Sequence, residues 1–104
     1  MKLCKIEAAG PLPAEEEFSF SEKKVQGARV GKRGETMLYI ESPRRYKLYT
    51  DGADRVHILS GSGHFKWARG ETPFAAGESF LAEQTGEYEL NGACTCIVER
   101  AAKA

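Results

Sequence analysis

The chain has 104 residues, and its 15 lysines and arginines balance 15 aspartates and glutamates, so the formal net charge is zero. That length holds one domain with one modest core and leaves no room for a second. Balanced charge removes the field that gathers nucleic acid or an anionic membrane surface, so neither partner is expected.

Residues 1–24 read differently from the rest, as an arm that packs on the main body or on a partner. Leu3, Cys4 and Ile6 start a strand, and Gly10-Pro11-Leu12-Pro13 breaks it. Glu15-Glu16-Glu17 is a solvated acidic run. Phe18 and Phe20 then alternate with Ser19 and Ser21, which suits a half-buried extended segment. Met1-Lys2-Leu3-Cys4-Lys5 leads into no signal-type apolar stretch and no later run could span a bilayer, so the expected location is the cytoplasm.

From Val25 the punctuation becomes regular. Gly27 to Gly34 is basic and glycine-rich, but it lacks the Gly-Lys-Ser/Thr ending of a phosphate loop and reads as a mobile connection. Strands are expected over Thr36–Glu41, Arg45–Thr50, Val56–Ser60, Phe65–Trp67, Ser79–Ala82, Tyr88–Leu90 and Ala93–Glu99. Asp51-Gly52 is a tight-turn signal of the kind hairpins prefer. Breaks fall at Gly61, Gly70, Gly77 and Asn91-Gly92, at the spacing of all-β sandwiches and barrels. No apolar pattern of helical period persists. The chain divides into the arm, a barrel over 25–100 and a short alanine-rich tail over 101–104, and the class is all-β and antiparallel.

Three cysteines are few and odd in number, which argues against a disulfide framework. Cys94 and Cys96 are two apart, so on a strand they share a face with Val98 and read as small buried thiols. No second ligand pair accompanies them as a zinc site would require.

Gly61-Ser62-Gly63, Gly77-Glu78-Ser79-Phe80 and Gly92-Ala93-Cys94-Thr95-Cys96-Ile97-Val98 occur in the order seen in a cupin. The second half of the chain resembles, in particular, the C-terminal cupin domain of bacterial type I mannose-6-phosphate isomerases. The resemblance covers roughly residues 34–99 and implies a jelly-roll barrel, the double-stranded β-helix. In those isomerases the zinc and the sugar-phosphate chemistry belong mainly to a separate N-terminal region, so the isomerase activity is not expected here.

Metal-binding cupins supply two histidines and a carboxylate from their first motif and a third histidine from the second. Counting back from Gly61 places Asp54 at the acidic position. The paired-histidine positions fall within Lys47, Leu48, Tyr49 and Thr50, and the last histidine position falls on Tyr88. One carboxylate of four ligands makes no metal site there, so neither a metal nor another cofactor is expected. His57 alternates with Val56 and Ile58 and reads as a surface or interface residue, as does His64.

The function expected is binding: a metal-free small cupin that holds a sugar, a sugar phosphate or another small polar ligand at the barrel mouth, or serves as an accessory subunit. Tyr39, Lys47, Tyr49, Asp54, Trp67 and Tyr88 are the candidate ligand-binding residues, since pockets combine aromatic walls with a few polar groups. No catalytic residue is assigned. One alternative is a small isomerase, epimerase or oxygenase using Asp54, His57 and Tyr88 as an acid–base set. Another is a structural homodimer whose arm, through Leu3, Ile6, Phe18 and Phe20, adds to a neighbour's sheet.

Overall fold

The computed structural model describes residues 2–7, 10–83 and 86–101. Among them, ten strands follow one another: β1 (Lys2–Ile6), β2 (Ser19–Phe20), β3 (Arg29–Arg33), β4 (Met37–Ser42), β5 (Arg45–Thr50), β6 (Ala53–Trp67), β7 (Gly70–Ala75), β8 (Ser79–Glu83), β9 (Gly86–Asn91) and β10 (Cys94–Ala101). A single 3-10 turn, Glu15–Glu17, precedes β2. Among the described residues no helix is long and apolar enough to cross a membrane.

Strand β6, 15 residues long, organises the molecule. Its first half lies between β8 and β10 in a sheet ordered β1-β8-β6-β10-β4-β3-β2. Its second half lies between β7 and β9, and β5 completes that second sheet beyond β9. All pairs are antiparallel, and the two sheets enclose one core. This is the all-β jelly roll of the cupin type.

Alternation along the strands builds the core, because successive side chains leave a strand on opposite faces. Tyr46, Leu48 and Thr50 of β5 are buried, while Arg45, Lys47 and Tyr49 face outward. Cys94, Cys96 and Val98 of β10 point inward, as their spacing requires. Phe65 sits at the centre, with ring centroids 5.1 Å from Phe74 and 4.8 Å from Phe80. A second, smaller apolar cluster lies on the outer face of the first sheet, where Phe18, Tyr39 and Ile97 are buried together.

Gly61 lies within β6 rather than ending it. With φ at +84°, Gly61 lets the strand change sheets, and a Cβ there would run into the Ala93 carbonyl and the Cys94 backbone. Gly92, at φ +143°, meets the Ser62 carbonyl in the same way. The Gly-Ser-Gly and Asn-Gly signals therefore mark one close backbone crossing, between the middle of β6 and the β9–β10 connection.

Three further expectations need correction. The segment from Gly27 to Gly34 contains β3, which pairs with β4 from Arg29↔Glu41 to Arg33↔Met37; ladder partners compensate for its glycines. Gly70 starts a strand instead of only breaking one, since β7 closes a two-residue hairpin with β6 at Trp67↔Gly70. Asp51-Gly52 joins no hairpin. It carries the chain from β5 in the second sheet to β6 in the first, two strands that do not pair. Residues 102–104 of the expected tail lie outside the described residues.

Phe18 and Phe20 cover Tyr39, with centroid distances of 5.3 and 5.5 Å, and β1 pairs with β8 along its whole length. Glu15 and Glu17 reach Arg29 and Arg33 of β3, so the acidic run is partnered by surface ion pairs. Exposed pairs of this type add little stability each.

Candidate functional site

One end of the barrel is formed by the β3–β4 turn, the β5–β6 crossover and the end of β10. There Asp54 of β6 stands between Ala82 of β8 and Arg100 of β10. The alternation that buries Val56 and Ile58 also forces Asp54 inward, where its residue exposure is 0%. Tyr88 of β9 points at it from the opposite sheet, and its phenol donates to Asp54 Oδ2 across 2.6 Å. This hydrogen bond joins the two sheets through the core.

Burial raises the Tyr88 phenol far above its ordinary range, and the charge and hydrogen bond of Asp54 push in the same direction. Tyr88 is therefore a fixed neutral donor. Burial also raises Tyr46, while the nearby Arg100 guanidinium acts against that shift.

Arg100 is the cation of the cluster. Its Nη2 is 3.9 Å from Asp54 Oδ2, a loose pairing in which Arg100 is 35% exposed and Asp54 is sealed. Arg100 Nε and Asp54 Oδ1 are buried without a hydrogen-bond partner. A guanidinium carries five N–H donors in a planar fork, and here they are only partly used. The backbone N–H of Arg100 donates to the Thr36 carbonyl at 2.7 Å, anchoring the end of β10 to the β3–β4 turn.

Outside this cluster lies a cavity of about 710 Å³. Arg100, Tyr46, Leu48 and Leu38 form its wall, and Lys32, Lys47, Glu35 and Tyr49 stand on its rim. Three cations and one carboxylate line it, with Glu87 4.0 Å from Lys47 and Asp54 behind Arg100 as their loose partners.

The six candidate ligand residues are distributed unevenly. Asp54 and Tyr88 meet behind the cavity wall, and Lys47 and Tyr49 stand at its rim. Tyr39 is on the outer face beneath Phe18 and Phe20. Trp67 is at the β6–β7 hairpin, packed against the core and away from the mouth. Arg100 and Tyr46 were not among the candidates. Arg100 lies where the barrel strand was expected to end, and inward alternation from Cys96 through Val98 to Arg100 was the signal that would have found it.

His57 departs from its surface reading. It does leave the core face, but it is 4% exposed, because Ser79 flanks it and Ile6, Glu7, Gly10, Pro11 and Leu12 line the space beside it. Since it is on the outer face, His57 cannot act with Asp54 and Tyr88 on one substrate, and the proposed three-residue acid–base set does not assemble. His64 is exposed on β6 beyond Gly63. Among the described residues no three His, Cys, Asp or Glu side chains cluster as potential metal ligands.

Structural comparison finds a mannose 6-phosphate isomerase from Bacillus subtilis with a TM-score of 0.64 at 20% identity, matching 91% of this chain. This chain spans 30% of that protein's length. A domain of unknown function from Vibrio parahaemolyticus matches with a TM-score of 0.59 at 19% identity, over 79% of this chain and 96% of the other. A protein of unknown function (DUF1255) from Acinetobacter matches with a TM-score of 0.56 at 16% identity, over 85% and 98% of the two chains. No family model matches the sequence, and none of the curated proteins does. These likenesses establish the cupin-type fold and nothing finer.

Proposed function

We propose that the protein is a binding cupin whose cation-lined mouth holds a small polar anion of the sugar-phosphate class. The observation that carries this reading is Arg100, a guanidinium at the wall of a cavity of about 710 Å³ with only a loose partner behind it. A planar guanidinium suits phosphate through paired N–H donors. Lys32 and Lys47 add charge at the rim, and Tyr46 and Tyr49 offer aromatic surface of the kind that covers a sugar ring. A fold likeness at 20% identity transfers no substrate, so the ligand class rests on the mouth itself.

The test is a thermal-shift and calorimetric panel of hexoses and their phosphates, run on the native chain and on Arg100→Met. Hexose phosphates are expected to raise the melting temperature at millimolar concentration and the parent sugars to do so less. Arg100→Met is expected to weaken phosphate binding at least tenfold. No shift with any member of the panel, or an unchanged affinity in Arg100→Met, overturns the reading.

A further inference from the structure

The cavity at the mouth sits where the two sheets part. Its walls come largely from β3 and β4 of the first sheet and β5 of the second, and β3 and β5 do not pair with each other. Val25, Val30, Met37, Leu38 and Leu48 give it an aliphatic lining beside the two tyrosines. Val25 and Tyr49 are exposed, and among the described residues Leu59 is the one other large hydrophobic residue left so open. A single exposed apolar side chain needs no explanation, but two on the lip of one apolar cavity mark a surface for a partner to cover. The lip is also held in place. Val25 and Ala28 close a tight turn through two backbone hydrogen bonds of 2.9 and 2.8 Å, with Gln26 at φ +53° inside it. The Gln26 side-chain amide donates to the Lys47 carbonyl and accepts from the Lys47 N–H, each at 2.9 Å, so the turn is fastened to β5 across the gap between the sheets.

We infer that the sugar phosphate held at this mouth carries an aliphatic substituent, which lies along the apolar wall while the phosphate meets Arg100. The inference rests on the phosphate reading above and deepens it. A space of about 710 Å³ falls in the range that takes a drug-sized molecule, and a bare hexose phosphate would leave much of it unfilled. The chemistry of the wall points the same way. Its ionic groups are Lys32, Lys47, Glu35 and Arg100, and the surface between them is aliphatic or aromatic. Sugar hydroxyls pressed against Val30, Leu38 and Leu48 would lose water without gaining partners, which costs free energy. An alkyl group on the same side chains removes apolar surface from water on both sides of the contact. Met37, unbranched and adaptable, suits a flexible chain.

The experiment is calorimetric titration of the full chain with glucose 6-phosphate and with its methyl, butyl and hexyl glycosides, each below its micelle concentration. Affinity should rise with chain length by about threefold for each buried CH₂. The heat-capacity change on binding should grow more negative along the same series, the mark of apolar burial. Val25→Ser combined with Tyr49→Ser, both at exposed positions that the fold does not depend on, should at least halve the gain per CH₂ on a logarithmic scale. Leu59→Ser, exposed elsewhere, should leave that gain as it is. If glucose 6-phosphate binds and chain length adds nothing, the inference is overturned and the phosphate reading stands. A chain-length gain that the double variant leaves intact overturns the inference as well. If no member of the series binds, or if hexyl glucoside without its phosphate binds equally well, the phosphate reading falls and the inference with it.

Discussion

Tyr88 and Asp54 form a hydrogen bond of 2.6 Å between the two sheets, with residue exposures of 1% and 0%. The bond belongs to the core, and it fixes the carboxylate that stands behind Arg100. A buried carboxylate deprived of its donor keeps its desolvation cost and loses the compensation. Tyr88→Phe is therefore expected to lower unfolding free energy by about 1.5–3 kcal/mol. In a double-mutant cycle with Asp54→Asn, measured by urea denaturation, the double variant should lose less than the sum of the singles. Additive losses would show that the two side chains are not coupled.

Alkaline stability follows from the same pair. The Tyr88 pKa is raised in the folded state by burial, and then by Asp54, whereas in the unfolded chain it titrates near pH 10. Its contribution to stability is complete below about pH 10 and is lost as pH rises beyond that, because the unfolded state then binds fewer protons than the native state. The urea midpoint should fall steadily between about pH 10 and 11, and Tyr88→Phe should flatten part of that slope. A midpoint independent of pH in that window would contradict the assignment.

Two glycines with nearly the same backbone angle should respond differently to alanine. Gly61 and Gly77 have φ of +84° and +87°, but a Cβ at Gly77 meets nothing within 4 Å, while at Gly61 it strikes backbone. Gly77→Ala is expected to cost about 1–2 kcal/mol, the left-handed penalty alone. Gly61→Ala should cost about 3 kcal/mol or more, since strands must separate as well. Equal chemical-denaturation midpoints would show that the β6 crossing relaxes freely.

The three thiols should label in a fixed order. Cys4 is exposed, while Cys94 and Cys96 are buried. Cys96 donates to the Cys94 sulfur, which lowers the Cys94 pKa; that bond, together with burial, raises Cys96 well above its ordinary value. Maleimide at pH 8 should take Cys4 first and Cys94 slowly, with Cys96 reacting only after denaturant is added. Cys96→Ala should slow Cys94 further. Equal rates for Cys94 and Cys96 in the native protein would refute this ordering.

The sequence by itself determined the class of fold and much of its interior. Alternation separated Tyr46 and Leu48 from Arg45, Lys47 and Tyr49, and it put Cys94, Cys96 and Val98 on one buried face, because a period of two is a local property of extended chain. The Gly61 and Asn91-Gly92 signals were visible, but the reason for them was not. Only the folded molecule shows two backbones crossing where a side chain would collide. Asp54 and Tyr88 could be named as candidates, yet their hydrogen bond spans 34 positions, and Arg100 joins them only because β10 lies beside β6. Likewise, alternation correctly turned His57 away from the core, but could not foretell that Ser79, Glu99, Ile6 and Leu12 surround it. A strand's pattern says which face a side chain leaves from. What it meets on that face depends on partners distant in sequence, and tertiary structure alone decides them.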